Sequence, residues 1–191
     1  MFTSSMFPPL ALGFFGLGTG YLVWGPMELF GFRDEAVDRA AGFWGIWLAG
    51  FCQFVTGVIL FVGLTWFPVF TNDKALYMAA LAFSAYGIHW FVLGWNRYSG
   101  NDDRPNAGDV GGVHGAQRTR CVCVLPRGAW PVGLLFTGLF LVYLAELFVA
   151  LQVGAAAVRA IGFFHTVTGV WLMYLTVAVV LNTAIGYSLP A

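Results

Sequence analysis

Tyr86 and His89 lie three positions apart in an apolar run, which puts a phenol and an imidazole on one face of a helix. An imidazole titrates near neutral pH, so where water is excluded this pair is a candidate for proton handling or gating. A packed ring with an interhelical hydrogen bond is the competing account. Glu146 sits well inside another apolar run. Buried in a membrane it is a candidate proton site, and at the membrane edge it is simply solvated; the edge position is the preferred reading. Gln53 and Thr56 place an amide and a hydroxyl in a third run, where each needs a partner on another helix or in a wet path. Glue between helices and pathway lining stay equally open for both. His165, near the start of the last run, reads as an interfacial side chain. His114, Cys121 and Cys123 offer soft ligands in a glycine-rich stretch but no fourth, so neither a metal nor another cofactor is expected.

The elements that must position these groups are set by composition. Of 191 residues, 59% are hydrophobic and 9% charged, against roughly 25% charged in an ordinary soluble domain. Most of the surface must therefore face lipid, and the lipid bilayer is the first partner the chain requires. Nine basic and nine acidic residues balance, and the basic ones form no stripe. Nucleic acid is excluded as a partner on that ground. No paired acid and base and no metal cluster lies within the runs, so the chain reads as a non-enzyme. The glycine-dense first and second runs, with Gly13, Gly16, Gly18 and Gly20 and then Gly42, Gly45, Gly50 and Gly57, read as close helix packing. A nucleotide-binding glycine loop needs a strand before it, and no strand pattern exists here.

A bilayer crossing needs about 20 apolar residues. Such runs cover residues 10–27, 42–66, 75–95, 130–151 and 161–182, giving an all-α, polytopic transmembrane bundle in one domain spanning 1–191. The first run ends near Gly25-Pro26. Residues 28 to 41, with Glu28, Arg33, Asp34, Glu35, Asp38 and Arg39, read as a solvated connection. Five crossings place the termini on opposite sides of the membrane. Arg33, Arg39, Arg97 and Arg104 then fall on one side and Lys74 and Arg159 on the other, which fixes no orientation.

Four stretches carry more specific information: Leu12-Gly13-Phe14-Phe15-Gly16-Leu17-Gly18, Gly50-Phe51-Cys52-Gln53-Phe54-Val55-Thr56-Gly57, Phe83-Ser84-Ala85-Tyr86-Gly87-Ile88-His89-Trp90 and Val180-Leu181-Asn182. Together they resemble the acetate uptake transporters, the succinate–acetate transporter family, over nearly the whole chain except residues 101–128. The resemblance implies six helices, a homo-hexamer in the cell membrane with one pathway per protomer, and passage of acetate or similar small monocarboxylates past a narrow hydrophobic constriction. It assigns Leu17 and Tyr86 to that constriction and a third position near Gly138 or Leu139. From the reading of the residues themselves, Gln53, Thr56 and His89 are candidates for the substrate pathway, with Glu146 as the candidate proton site. Pro8-Pro9-Leu10-Ala11-Leu12-Gly13 lacks the family's asparagine, and Val179 stands where an acidic residue is usual. A coupled carrier and a channel-like path are both open, and a non-transporting assembly subunit of a membrane complex is the alternative from another class.

Residues 96–128 are hydrophilic where the family has its fourth helix. If the first base of the Asp109 codon is skipped, codon degeneracy lets the stretch through Pro126 be read as an apolar span of nearly membrane length. The frame returns by Trp130-Pro131-Val132-Gly133. Two compensating frame shifts therefore account for the loop, and a genuine long loop is the other reading.

Overall fold

The computed structural model describes residues 9–66, 74–102, 104–106, 108 and 130–191. His114, Cys121, Cys123 and the stretch from Asp109 to Arg127 lie outside the described residues. The described chain is helical: α1 (Pro9–Phe30), α2 (Glu35–Trp44), a π-helical turn (Gly45–Gly50), α3 (Phe51–Trp66), α4 (Lys74–Ser99), α5 (Trp130–Ala150) and α6 (Ala155–Ile185). Five of these helical stretches, with α2 to α3 counted as one, are long and apolar enough to cross a membrane. Large apolar side chains such as Phe15, Phe61, Ile88, Val92, Val170 and Val177 are exposed along the helices. In water that would invite aggregation; in a bilayer it is the lipid-facing surface.

Several boundaries differ from the sequence reading, and the extension of α1 moves the charge of Glu28 into the bundle. α1 does not stop at Gly25-Pro26 but runs through the proline to Phe30. The lost backbone donor is tolerated because a neighbouring helix supports the turn. Gly25 lies so close to Gly162 and Thr166 of α6 that neither glycine has room for a side chain. The second crossing starts at Glu35 rather than Gly42. Asp34 caps it, accepting a hydrogen bond from Val37 N at 2.9 Å, and Glu35 and Asp38 suit the positive end of the helix dipole. α4 likewise continues past residue 95 to Ser99, and α6 spans more than the expected 161–182.

Close glycine contacts set the helix directions. α1 and α6 are antiparallel, with Gly25 against Gly162 and Gly18 against Gly169 and Leu172. Gly16 meets Leu48 and Cys52, and Gly20 meets Ala49, so the π turn and α3 descend against α1. Gly57 faces Ser84, and Gly42 faces Gly94 and Tyr98, making α4 antiparallel to the α2–α3 unit. α5 and α6 are antiparallel, with Gly138 on Thr168 and the Trp171 indole donating to Pro131 O at 3.0 Å. The packing role expected of the glycines on the first two runs is thus seen at each of them.

α4 and α5 break the alternation. Tyr86 pairs with Tyr143 and His89 with Glu146, a shift of three residues in the same sense on both helices, so the two run parallel. Ser99 and Trp130, which flank the segment between them, therefore lie at opposite ends of the bundle. Pro9 and Ile185 lie at the same end, which corrects the expectation that the termini are on opposite sides. Arg159 is corrected as well. It belongs with Arg33, Arg39, Arg97 and Arg104 at the other end, because α6 begins where α1 and α4 finish.

Candidate functional site

α4 and α5 meet through long side chains rather than through their backbones. The Tyr86 and Tyr143 rings stack at 5.3 Å with an interplanar angle of 21°. One helical turn further, His89 Nε2 lies 3.2 Å from Glu146 Oε1, and the His89 ring packs 5.2 Å from Tyr143. Both members of the pair are buried. Glu146 is thus interior, not at the membrane edge as preferred from sequence. The physical reason is its neighbour: the carboxylate turns inward toward the His89 imidazole rather than outward to the edge.

Leu17 of α1, Tyr86 of α4 and Leu139 of α5 belong to one buried apolar cluster with Leu135, Val142 and Tyr143. Of the two positions left open on the fourth run, Leu139 joins this cluster, whereas Gly138 is taken up by packing against Thr168. Leu17 is brought to the cluster because glycines on either side let α1 approach its neighbours closely.

Gln53 and Thr56 are fully buried. The Gln53 amide donates to Gly13 O at 3.3 Å, and the Thr56 hydroxyl contacts Cys52 O at 2.8 Å and Pro9 O at 3.2 Å. The Gln53 amide nitrogen and the Thr56 hydroxyl are committed to backbone carbonyls and tie α3 to the start of α1, while Gln53 Oε1 has no partner among the described residues.

A second polar cluster occupies the arginine-bearing end, and the sequence reading missed it. Glu28 accepts from Arg97 Nη2 at 2.9 Å and pairs with His165 Nδ1 at 2.7 Å. Arg97 Nε reaches Asp38 at 3.5 Å, and Arg33 Nε donates to the same carboxylate at 3.0 Å. The Arg97 guanidinium lies 3.8 Å from the centre of the Trp24 ring, and Trp24 in turn donates to Ala41 O at 2.9 Å. Four elements (α1, α2, α4 and α6) thus meet on alternating charges. Glu28, Arg97 and His165 are almost wholly buried, so Glu28 does not belong to a solvated connection and His165 is not an interfacial side chain.

Tyr21 lies between the two clusters. Its ring packs 4.5 Å from that of His165 and 5.6 Å from that of Trp90.

The signals for the missed residues differ in strength. Tyr143 precedes Glu146 by three positions just as Tyr86 precedes His89, so the same spacing argument could have found it. Glu28 was hidden by Pro26, and Arg97 by the fall in hydropathy at Asn96.

No protein-family model matches this chain, and no curated protein matches it. Among solved structures, its fold is similar to that of the bacterial acetate channel SatP, with a TM-score of 0.76 over 95% of this chain and 96% of that one. Sequence identity between the two is 19%, so the likeness is one of fold.

Proposed function

We infer that this chain is a membrane channel or carrier for small monocarboxylates, acetate foremost, with each protomer holding its own pathway. The observation that supports this best is the convergence of Leu17, Tyr86 and Leu139, from three helices, beside the buried His89–Glu146 pair. An apolar neck next to a few polar groups suits a small anion, which must shed water to pass and can be sorted there by size and charge. The shared fold with an acetate channel supports the same reading. The pathway residues in this reading are Leu17, Tyr86 and Leu139, with His89 and Glu146 beside them as the proton-handling pair. Gln53 and Thr56 hold the entrance of α1 in place rather than touching substrate. Assembly as a hexamer in the cell membrane completes the proposal.

The test is uptake of labelled acetate by purified protein in liposomes, at a pH where the freely permeant neutral acid is scarce. Acetate-dependent uptake that Tyr86→Ala abolishes supports the reading. Folded protein that takes up no small acid overturns it in favour of an assembly subunit.

A further inference from the structure

The parallel helices α4 and α5 are kept apart by side chains instead of meeting backbone to backbone. Glycines that draw neighbours together elsewhere face away from this contact: Gly87 packs on Phe54 of α3, Gly94 on Gly42 of α2 and Gly138 on Thr168 of α6. A ladder of rings spans the gap. Tyr86 and Tyr143 stack at 5.3 Å and 21°, and one turn further His89 packs 5.2 Å from Tyr143 while its Nε2 lies 3.2 Å from Glu146. Tyr143 therefore touches both rings that α4 presents here. It rises from α5 one turn beyond Leu139 and is buried in the same cluster as Leu17, Tyr86 and Leu139.

A neck of two leucines and a tyrosine sorts anions by width only if the tyrosine stays in place. The Tyr86 ring turns about two side-chain bonds, and a ring that borders a path is held by what packs on its other face. A second flat ring stacked there is the closest-fitting restraint. We propose that Tyr143 sets the width of the neck: its ring is the spacer between α4 and α5 and the backing that holds Tyr86 toward Leu17 and Leu139, so it fixes the widest acid that passes. The inference rests on the transport reading and deepens it, assigning size selection to a positioning residue that need not touch the substrate.

The contact between His89 and Glu146 braces this spacer from one turn away, since His89 packs on the ring of Tyr143 and Glu146 lies on the same helix as Tyr143. Removing the Tyr143 ring leaves space into which Tyr86 swings, and the neck widens. A wide acid gains from that more than acetate does, because acetate already fits. The ring alone does this work, so Tyr143→Phe keeps both the stack and the spacing. A cavity that merely loosened the bundle would change the rates of narrow and wide acids alike, so their ratio is the quantity that separates size selection from a structural role.

The experiment offers labelled acetate and labelled isobutyrate, which carries two more methyl groups on the carbon next to the carboxylate, separately to liposomes holding the full chain. Uptake by protein-free liposomes is subtracted. The isobutyrate-to-acetate ratio is expected to rise about tenfold in Tyr143→Ala and in Tyr143→Leu and to stay at the wild-type value in Tyr143→Phe. Tyr143→Leu keeps apolar volume without a flat ring, so it decides the matter if Tyr143→Ala does not fold. A ratio unchanged in folded Tyr143→Ala or Tyr143→Leu overturns the proposal, and so does an equal rise in Tyr143→Phe. Loss of folded protein in both ring-removing variants overturns it as well, because the ring then holds the bundle and not the neck. Wild-type protein that takes up neither acid sinks the transport reading and this inference with it, whereas wild-type uptake with an unchanged ratio in the variants sinks this inference alone.

Discussion

Glu28 and Arg97, sixty-nine positions apart in sequence, meet at 2.9 Å inside the bundle and join the end of α1 to the end of α4. Neither is solvated enough to stand alone: both are more than nine-tenths buried. Breaking a buried pair leaves an uncompensated charge, which costs about 3–5 kcal/mol. Arg97→Gln is therefore expected to lower the unfolding midpoint of the protein in detergent sharply. Arg39→Gln, which removes the exposed pair with Glu35 at 2.7 Å, should cost less than about 1 kcal/mol. Thermal or denaturant unfolding of the two variants checks the contrast, and equal losses would show that the Glu28–Arg97 contact adds nothing.

His89 and Glu146 join the parallel helices at 3.2 Å, and their interaction can be separated from the cost of each substitution. A double-mutant cycle of His89→Phe and Glu146→Leu should give a coupling of roughly 0.5–3 kcal/mol, because each single variant strands its partner whereas the double variant strands neither. Additive losses would place the two side chains out of contact in the bilayer.

At Gly162 an added Cβ would run into the backbone at Gly25 and Leu29, where no side-chain movement can make room. Gly162→Val is expected to prevent α1 and α6 from docking, a penalty of at least about 1–3 kcal/mol. Size-exclusion profiles in detergent report it. Val170→Ala, on the lipid-facing side of the same helix, should elute as wild type.

The helix directions predict a topology. Both termini belong on one side of the membrane, and the end bearing Arg33, Arg39, Arg97, Arg104 and Arg159 belongs on the other. By the excess of basic residues that end is cytoplasmic. Tags at Met1 and Ala191 should both be accessible to protease or impermeant label from outside intact cells. Tags reached from opposite sides would contradict the parallel pairing of α4 with α5.

Parallel neighbours also sharpen the frame-shift hypothesis for residues 100–129. Ser99 and Trp130 stand at opposite ends of the bundle, so the chain between them must connect those ends, a task for which an apolar span is suited and Asp109 to Arg127 as written is not. Nucleotide sequence from an independent clone should reveal an uninterrupted apolar helix in a neighbouring frame. Its absence from all three frames removes the hypothesis.

The sequence alone determined that this is a bundle of membrane-crossing helices, because hydropathy and the need to satisfy backbone groups in lipid leave few alternatives to a run of about 20 apolar residues. It also singled out Tyr86, His89, Gln53, Thr56 and Glu146, since a polar group in hydrocarbon stands out without any structure. Tertiary structure decided how those groups are used. Gln53 and Thr56 bind α1 carbonyls, Glu146 finds His89, and Leu17 and Leu139 join Tyr86. The meeting of Glu28, Arg97 and His165 came to light only there. A charge at the end of an apolar run looks the same whether it enters water or turns inward to a partner, and the partners here come from four different helical elements. The parallel run of α4 and α5 was hidden for the same reason: direction is a relation between helices, fixed by which side chains meet, and no single run encodes it.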